Sequence, residues 1–412
     1  MTPPTYRDVT LVLCLRDGSV LGALPSFRVD VPWWQEAAPV VAAARAAHGI
    51  DVTILRLLRA EAGRATGGGP VSYLAEIEQP PATALAPWPG NPVAEEPLRV
   101  HYARPGGPAN DLRWADTVLA ERGTPRTGPA EQVRTWNLSS LWRLPVGSSA
   151  TWLKAVPPFF AHESLMLALL DTAVVPALIA ADGPVMLLED IPGADQHHTV
   201  GPAALAMVRL LVGLQVEWAS RADELLALCL PDWRLAPLAD AAAEAVARTA
   251  PELERDVVHQ LERLLDGLAQ RSDDVDSCGL PVTLVHGDFH RGNVRGTPER
   301  LVLLDWGDCG VGHPLLDQIA FLEYLPQGEH DAVLREWSRL WRAAVPGSEP
   351  DRAAQLLQPV AALRRAVVYR GFLDAIEPDE QIYHASDPAD WLTLTADLCR
   401  RASAASGHPM SP

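Results

Sequence analysis

Two short segments of the chain carry residue types suited to chemistry on phosphate groups. In residues 284–293, an apolar run ends in polar residues that include Asp288 and Asn293. Twelve residues later, Asp305 follows a second apolar run. If the two runs are strands paired side by side, all three side chains lie close together. Carboxylate and amide oxygens there would suit Mg²⁺ whose other ligands are nucleotide phosphates and water, and a further carboxylate could accept the proton of an attacking hydroxyl.

A zinc site is the alternative that His286 and His290 suggest. Structural and catalytic zinc sites use three or four protein ligands, mostly nitrogen and sulfur. No third such ligand lies at helical spacing from these two histidines. The ligand types therefore favour magnesium.

The combined motif resembles the aminoglycoside phosphotransferase and choline kinase superfamily. His-Gly-Asp-x-His-x-x-Asn spans residues 286–293, an apolar run leads into Asp-Trp at 305–306, and Gly-x-Pro-x-x-Asp spans 312–317. The resemblance extends over residues 133–401. It implies an α+β, bilobal, protein-kinase-like fold with a small β-rich N-lobe and a mostly helical C-lobe.

The same resemblance implies a role for each polar residue of the motif. Asp288 would be the catalytic base that orients the acceptor hydroxyl, while Asn293 and Asp305 would hold Mg²⁺ against the phosphates of ATP. The residues expected to support the loop are His286, His290 and Asp317.

Lys154 is the single lysine of a chain with 33 arginines. A compact ammonium is not replaceable by a guanidinium at every site, so its retention indicates a specific contact. By the resemblance, Lys154 lies on the third strand of the N-lobe, contacts the α- and β-phosphates and pairs with Glu163. Glu163 also begins a predicted helix, where an acidic residue is favoured by the helix dipole. Both roles are compatible.

The other nucleotide contacts are expected from a loop and a hinge. The loop that would cover the phosphates, residues 144–150, has one glycine, so Ser148 and Ser149 with their backbone N–H groups would serve instead. The backbone of Glu189 to Ile191 would hydrogen-bond adenine. The poor glycine loop leaves the choice between ATP and GTP open.

Composition limits the class of protein. Hydrophobic residues make up 48 % and charged residues 21 %, which predicts a globular protein, and the net charge of −18 argues against nucleic acid and anionic membranes as partners. No apolar run is long enough for a membrane span, and we expect no signal peptide. Five scattered cysteines indicate free thiols and a cytoplasmic location.

Changes in composition and proline- and glycine-rich stretches divide the chain into five parts. The expected parts are an N-terminal α+β module (1–95), a linker with one helix from Asn110 to Arg122 (96–131), the N-lobe and hinge (132–193), the helical C-lobe with the catalytic and acceptor sites (194–401), and a disordered tail (402–412).

The N-terminal module resembles a degenerate Nudix-type fold. Strands are predicted over 9–15, 20–27, 52–58 and 71–77, with a helix over 34–48 that Gly49 caps. A working Nudix helix carries metal-binding glutamates, but the matching positions are Ala43, Ala46 and Ala47. We expect no pyrophosphatase activity and a role as a lid, a regulator or a dimer contact, so a homodimer is one expectation.

The acceptor is a small molecule with a hydroxyl group. The region after a helix predicted over 353–375 is acidic and includes Glu377, Asp379 and Glu380, which suits ammonium groups or a solvated helix end. Arginines with Tyr383 or Trp391 suit a neutral sugar equally well. The predicted function is ATP- and Mg-dependent phosphoryl transfer to an aminoglycoside, amino sugar or sugar.

Two other functions are weighed against this one. A nucleotide-binding pseudokinase could act as a regulatory protein through its N-terminal module. A protein kinase is disfavoured, because Asp305-Trp-Gly reaches Gly312 within seven residues and leaves no room for an activation loop.

Overall fold

The computed structural model describes residues 5–61 and 67–405. Its strands are β1 (Arg7–Leu15), β2 (Val20–Ala23), β3 (Phe27–Val29), β4 (Thr53–Ala60), β5 (Gly69–Ile77), β6 (Glu131–Trp136), β7 (Ser139–Val146), β8 (Ser149–Ala155), β9 (Leu178–Asp182), β10 (Val185–Glu189), β11 (Ala194–Asp195), β12 (Thr283–Val285), β13 (Val294–Thr297), β14 (Arg300–Leu303) and β15 (Gly310–Gly312).

The α-helices of the described residues are α1 (Ala38–His48), α2 (Gly107–Glu121), α3 (Glu163–Leu169), α4 (Pro202–Trp218), α5 (Ala222–Ala227), α6 (Leu235–Thr249), α7 (Arg255–Asp266), α8 (Leu268–Asp276), α9 (Gln318–Glu323), α10 (His330–Ala344), α11 (Pro350–Ala375) and α12 (Asp387–Ala405). Strands dominate the first half of the chain and helices the second, so the predicted α+β class is confirmed. None of the described helices is long and apolar enough to cross a membrane.

The chain divides into two compact units. The first unit comprises the described parts of Met1–Ser164 together with Ala177–Asp190 and Leu373–Ala385. The second unit comprises Leu165–Pro176, Ile191–Phe372 and the described part of Ser386–Pro412. The first unit therefore takes in a short segment from near the end of the chain.

The first unit contains two five-stranded sheets. One is mixed, with the order β2-β1-β5-β4 and β3 added to β1, and its central pair β1 and β5 is parallel. The buried side of this sheet packs against Val40 and Ala44 of α1 and against Tyr383. The other sheet, β6-β7-β8-β10-β9, is antiparallel throughout, and α2 packs on it through Ala115 and Leu119.

Several element boundaries differ from the sequence predictions for local reasons. Gly49 caps α1 in the left-handed conformation, as predicted. The linker helix α2 begins at Gly107 rather than Asn110, because Pro108 fits the first helical turn. The return strand predicted over 20–27 breaks at Pro25 into β2 and β3. Of the predicted tail, residues 402–405 belong to α12, and residues 406–412 lie outside the described residues.

The second unit is mainly helical. One of its apolar cores joins α6, α7, α8, α11 and α12 through residues that include Leu261, Leu363 and Leu392. Two small sheets accompany the helices, β11-β13-β14 and the pair β12-β15. These small sheets hold the loops that carry the predicted catalytic residues.

Candidate active site

The strands that precede the two motif acids pair differently from the prediction. Side-by-side pairing of the strands before Asp288 and Asp305 is wrong, because β12 pairs with β15 while β14 pairs with β13. His286 connects the two sheets instead, since its Nε2 lies 2.9 Å from the carbonyl oxygen of Leu304. Burial lowers the pKa of His286 to about 4. The ring is therefore neutral at physiological pH and donates from Nε2.

Gly287 makes the sharp turn of the loop possible. Its φ of +86° is costly for residues with a side chain, and a Cβ there would lie 2.0 Å from the carbonyl oxygen of Asp308. The carbonyl oxygen of Gly287 accepts a hydrogen bond from Arg364 at 3.0 Å. Arg364 also donates to the carbonyl of Asp308 at 3.0 Å, so one guanidinium ties the two motif loops together.

Asp317 holds the start of the loop through backbone hydrogen bonds. Its two oxygens accept from the N–H groups of His286 at 3.0 Å and Gly287 at 2.7 Å. Gln215 of α4 donates to the same carboxylate at 2.9 Å. Burial raises the pKa of Asp317 to about 6, although these N–H donors act in the opposite direction.

Asp288 is held from both sides of its carboxylate. Oδ1 lies 2.5 Å from Nη1 of Arg365, and Oδ2 accepts from Nδ2 of Asn293 at 3.1 Å with Nε2 of His290 at 3.4 Å. The side chain remains 22 % exposed. Burial opposes ionisation, but Arg365 and His290 outweigh it and hold the pKa of Asp288 well below its usual range. Asp288 is thus a fixed, ionised carboxylate that an approaching hydroxyl can reach.

Burial and the nearby Asp288 charge raise the pKa of a neighbouring carboxyl, that of Asp308, to about 7. The sequence motif placed Asp308 three residues after Asp305 but gave it no role.

Asn293 and Asp305 provide oxygens that fit a magnesium ion. Both side-chain hydrogen bonds of Asn293 use its amide nitrogen, toward the backbone and side chain of Asp288, which leaves Oδ1 as the atom for a metal. Asp305 is exposed and has a φ of +62°, a left-handed conformation that is uncommon for non-glycine residues and that aspartate tolerates better than most. The N–H of Leu304 donates to the carbonyl of Asn293 at 2.8 Å, so the two candidate ligands belong to hydrogen-bonded neighbouring segments.

No group of three or more His, Cys, Asp or Glu suited to a metal occurs within 5–61 and 67–405. A magnesium ion held by Asn293, Asp305 and phosphate oxygens needs no such group, because Mg²⁺ commonly binds through one or two protein carboxylates and keeps water.

His290 and Arg291 shape the second half of the loop. Nδ1 of His290 accepts from the N–H of Gly292 at 2.9 Å, which fits a donor at Nε2 facing Asp288. The ring of Tyr324 lies 4.5 Å from that of His290, centroid to centroid. Arg291 is buried and donates to backbone carbonyls, including that of Thr199 at 2.8 Å.

The first unit contains the predicted lysine–glutamate pair. Lys154 lies on β8 between Leu141 of β7 and Met186 of β10. Its Nζ lies 2.7 Å from Oε1 of Glu163, which begins α3. The two side chains are 12 % and 2 % exposed. A buried ion pair of this kind fixes the ammonium in one place.

The other predicted nucleotide contacts occupy a turn and a strand end. Ser148 and Ser149 are exposed at the hairpin between β7 and β8, where Gly147 has a φ of +57°. The N–H of Glu189 already donates to the carbonyl of Ala177, so that group is engaged within the sheet. In the second unit, the carbonyl of Ile191 accepts from Nε of Arg295 at 3.0 Å and retains a second lone pair.

The acidic run after α11 has partners in the first unit. Glu377 is buried between Arg56 at 3.3 Å and Arg99 at 2.8 Å, and Glu380 accepts from the N–H of Leu57 at 3.2 Å. A solvated helix end is therefore wrong for Glu377 and Glu380. Both side chains are therefore engaged by residues of the first unit, namely Arg56, Leu57 and Arg99.

The contact of Arg365 with Asp288 is the feature of the site that sequence reasoning missed, because the sequence placed this arginine only among side chains that could suit a sugar acceptor. It lies 77 residues beyond Asp288, so no local motif connects the two. The sequence gave one signal, an adjacent arginine pair within an otherwise apolar stretch of a predicted helix. Buried charges are rare without a partner, so such a pair indicates carboxylates or carbonyls nearby.

Comparison with solved structures identifies the class of fold. Macrolide 2'-phosphotransferase type I is similar, with 19 % identity and a TM-score of 0.52, over 68 % of this chain and 97 % of that chain. A choline/ethanolamine kinase family protein from Mesorhizobium loti has 18 % identity and a TM-score of 0.46 over 73 % and 96 % of the two chains. Spectinomycin phosphotransferase, in complex with ADP and spectinomycin, has 10 % identity and a TM-score of 0.46 over 71 % and 98 %. The similarity to the macrolide phosphotransferase shows a shared kinase-like fold.

The family follows from a direct match of sequence. The model of the phosphotransferase enzyme family matches residues 147–356, about half of the chain. The protein belongs to this family and is a phosphotransferase enzyme, so the resemblance predicted from the motif is confirmed. No curated protein matches the chain. The Nudix-type resemblance of the N-terminal module stays a prediction.

Proposed function

We propose that the protein transfers the γ-phosphoryl group of ATP, with Mg²⁺, to a hydroxyl group of a small molecule. The observation that carries this proposal is the state of Asp288, which is ionised, fixed on both oxygens and still partly exposed. Phosphoryl transfer depends mainly on positioning and charge stabilisation rather than on a strong base. A carboxylate of low pKa can accept a hydrogen bond from the attacking hydroxyl and align it.

The other site residues would bind either the magnesium ion or the nucleotide that donates the phosphoryl group. Bound Mg²⁺ would neutralise charge on the phosphates, and Asn293 Oδ1 with the Asp305 carboxylate would hold it. Lys154 would contact the phosphates as a compact charge that Glu163 keeps in place. Ser148, Ser149 and the backbone from Glu189 to Ile191 remain the proposed contacts to the rest of the nucleotide.

The acceptor belongs to a class that solved relatives suggest. The similar structures are named for a macrolide, for spectinomycin and for choline or ethanolamine. An aminoglycoside, an amino sugar or a sugar is therefore the acceptor class proposed for this enzyme. The free cysteines fit a cytoplasmic location.

The test is ADP release from MgATP over a panel of acceptors, with Asp288→Asn as the blank. The panel contains aminoglycosides, glucosamine, glucose, maltose, choline and homoserine. We expect at least one acceptor to stimulate ADP release in the native enzyme and not in the variant. Thermal shift with MgATP measures nucleotide binding separately. Binding without turnover of any acceptor or of water would contradict the proposal and favour a regulatory pseudokinase.

A further inference from the structure

Arg365 lies next to Asp288, the proposed catalytic carboxylate. Its side chain is 5 % exposed, and it lies on α11 with Nη1 2.5 Å from Oδ1 of Asp288. Nη2 donates to the hydroxyl of Tyr369 at 3.1 Å, and the rings of Tyr369 and Trp391 lie 5.3 Å and 5.1 Å from the guanidinium carbon. The guanidinium is therefore fixed by an anion on one side and by aromatic rings on others.

One donor of this guanidinium is unused. Nε of Arg365 is buried and has no hydrogen-bond partner among the described residues. A buried donor without an acceptor is costly, and an incoming ligand oxygen could satisfy it. Nε of the neighbouring Arg364 and of Arg370 has no partner among the described residues either. Arg365 differs from Arg364 in its contact with Asp288, because the terminal nitrogens of Arg364 donate to backbone carbonyls and hold the loops in place.

The charges around Asp288 are mixed rather than uniformly acidic. Arg365 contributes a positive charge, while the carboxylate of Glu323 lies within electrostatic range of both Asp288 and Arg365. The carboxylate of Asp387 lies within range of Glu323 and Tyr369. An acceptor group placed against Nε of Arg365 must offer a lone pair, which an ammonium lacks, and an added anion there would also meet Asp288. A neutral hydroxyl avoids both penalties, because it can donate to Asp288 and accept from Arg365.

We propose that Arg365 positions Asp288 and, from the same place, selects a neutral polyhydroxylated acceptor of the sugar type. In this acceptor, hydroxyl oxygens rather than an ammonium group flank the phosphorylated hydroxyl. The half-exposed ring of Tyr324, beside His290, offers an apolar face for such a sugar. The inference rests on the proposed function, because it concerns the acceptor of that reaction.

The experiment compares acceptors that differ at one group. Glucose and glucosamine differ only in a hydroxyl against an ammonium, and kcat/KM with MgATP is measured for both, with Asp288→Asn as the blank. Arg365→Gln removes the charge and keeps hydrogen-bonding atoms. Arg370→Gln is the matched control on the same helix, because Arg370 donates to Thr249 rather than to the loop.

We expect the native enzyme to prefer glucose by at least about tenfold, the ratio that about 1.4 kcal/mol gives. Arg365→Gln should reduce this preference toward unity and lower kcat, while KM for ATP stays unchanged. Arg370→Gln should keep both the preference and the rate.

Hydrolysis of MgATP by water is measured in parallel, since it does not depend on the acceptor chosen. A loss of about tenfold in hydrolysis by Arg365→Gln, with unchanged KM for ATP, supports positioning of Asp288. A native preference for glucosamine, or an unchanged preference and hydrolysis rate in Arg365→Gln, would overturn the inference while leaving the phosphotransferase intact. No turnover of any acceptor or water by the native enzyme would overturn the proposed function itself.

Discussion

Two buried clusters of charged residues, one in each unit, use similar ingredients in different ways. We call them the loop cluster and the module cluster. The loop cluster, in the second unit, consists of Asp288, Asp308, Asp317, Arg364 and Arg365. The module cluster, in the first unit, consists of Arg56, Arg99, Glu377, Asp379 and Glu380.

The buried carboxyl groups of the module cluster, those of Glu377 and Glu380, contact arginines and backbone and are not available to a ligand. Glu377 is 3 % exposed and pairs with two arginines, and Arg56 also reaches the backbone oxygen of Pro92 at 2.8 Å. In the loop cluster, Asp288 stays 22 % exposed although it is paired on both oxygens.

The comparison shows that a buried ion pair by itself does not indicate a catalytic site. Accessibility alone does not separate the two clusters either, because Asp379 of the module cluster is 51 % exposed. The loop cluster differs in that its accessible carboxylate, Asp288, contacts the candidate metal ligand Asn293.

The largest effect is expected from Asp288→Asn. Loss of the carboxylate should reduce turnover by about 10²–10⁴-fold, because the acceptor hydroxyl is no longer aligned or deprotonated. Binding of MgATP, measured by thermal shift, should persist. A variant that turns over at the native rate would remove the distinction drawn between the two clusters.

A large effect on stability, without an effect on chemistry, is expected from Glu377→Gln. Removing one partner of a buried ion pair leaves Arg56 and Arg99 undercompensated and should lower the free energy of unfolding by about 3–5 kcal/mol. Urea denaturation measures this loss. Glu131→Gln is the matched control, because its partner Arg143 is exposed and the pair should contribute only about 0–1 kcal/mol. Equal stability of both variants would contradict a structural role for the module cluster.

A smaller effect on rate is expected from Lys154→Arg. The guanidinium keeps the charge, but its planar shape does not reproduce a compact ammonium between Glu163 and a phosphate. We expect kcat/KM for ATP to fall by about tenfold, a change equivalent to about 1.4 kcal/mol. Full activity of Lys154→Arg would show that the single lysine has no specific role.

The last effect concerns the pH dependence of stability, not activity. Burial, with the nearby charge of Glu377, raises the pKa of Glu380 to about 8. An unfolded glutamate ionises near pH 4.3, so between about pH 4.5 and 8 the folded protein holds a proton that the unfolded chain has lost. Its contribution to stability is therefore present at low pH and is lost as the pH rises through 8.

Glu380→Gln has no such proton and should flatten this dependence by about 3–4 kcal/mol between pH 5 and pH 8, since one proton changes stability by about 1.4 kcal/mol per pH unit. The measurement is urea unfolding at both pH values, with Glu131→Gln as the control. An identical pH dependence in Glu380→Gln and the native protein would show that Glu380 is ionised when folded.

Sequence reasoning succeeded where the chemistry is local. Asp288 and Asn293 are five residues apart on one loop, and Lys154 and Glu163 are nine residues apart on a strand and the next helix, so the family resemblance of these short segments is enough to predict each contact. It failed for pairs that only the tertiary fold creates. Strand β12 pairs with β15, which begins 25 residues later, and β14 pairs with β13.

The module cluster shows the limit most clearly. Arg56 and Asp379 are separated by 323 residues. From the sequence, the acidic residues after α11 are equally consistent with an acceptor site and with a solvated helix end. Their burial depends on the sheet of the N-terminal module, which no composition or periodicity in residues 377–380 reveals. The contact of Arg365 with Asp288 was missed for the same kind of reason.

The inclusion of Leu373–Ala385 in the first unit has a consequence for biosynthesis. A ribosome that adds about 5–20 residues per second needs roughly 15–65 s to pass from Arg56 to Asp379. During that interval the nascent N-terminal sheet lacks Tyr383 in its core and Glu377 beside its arginines. The first part of the chain to be made therefore completes its fold among the last, and a chain that stops before residue 373 has an open core.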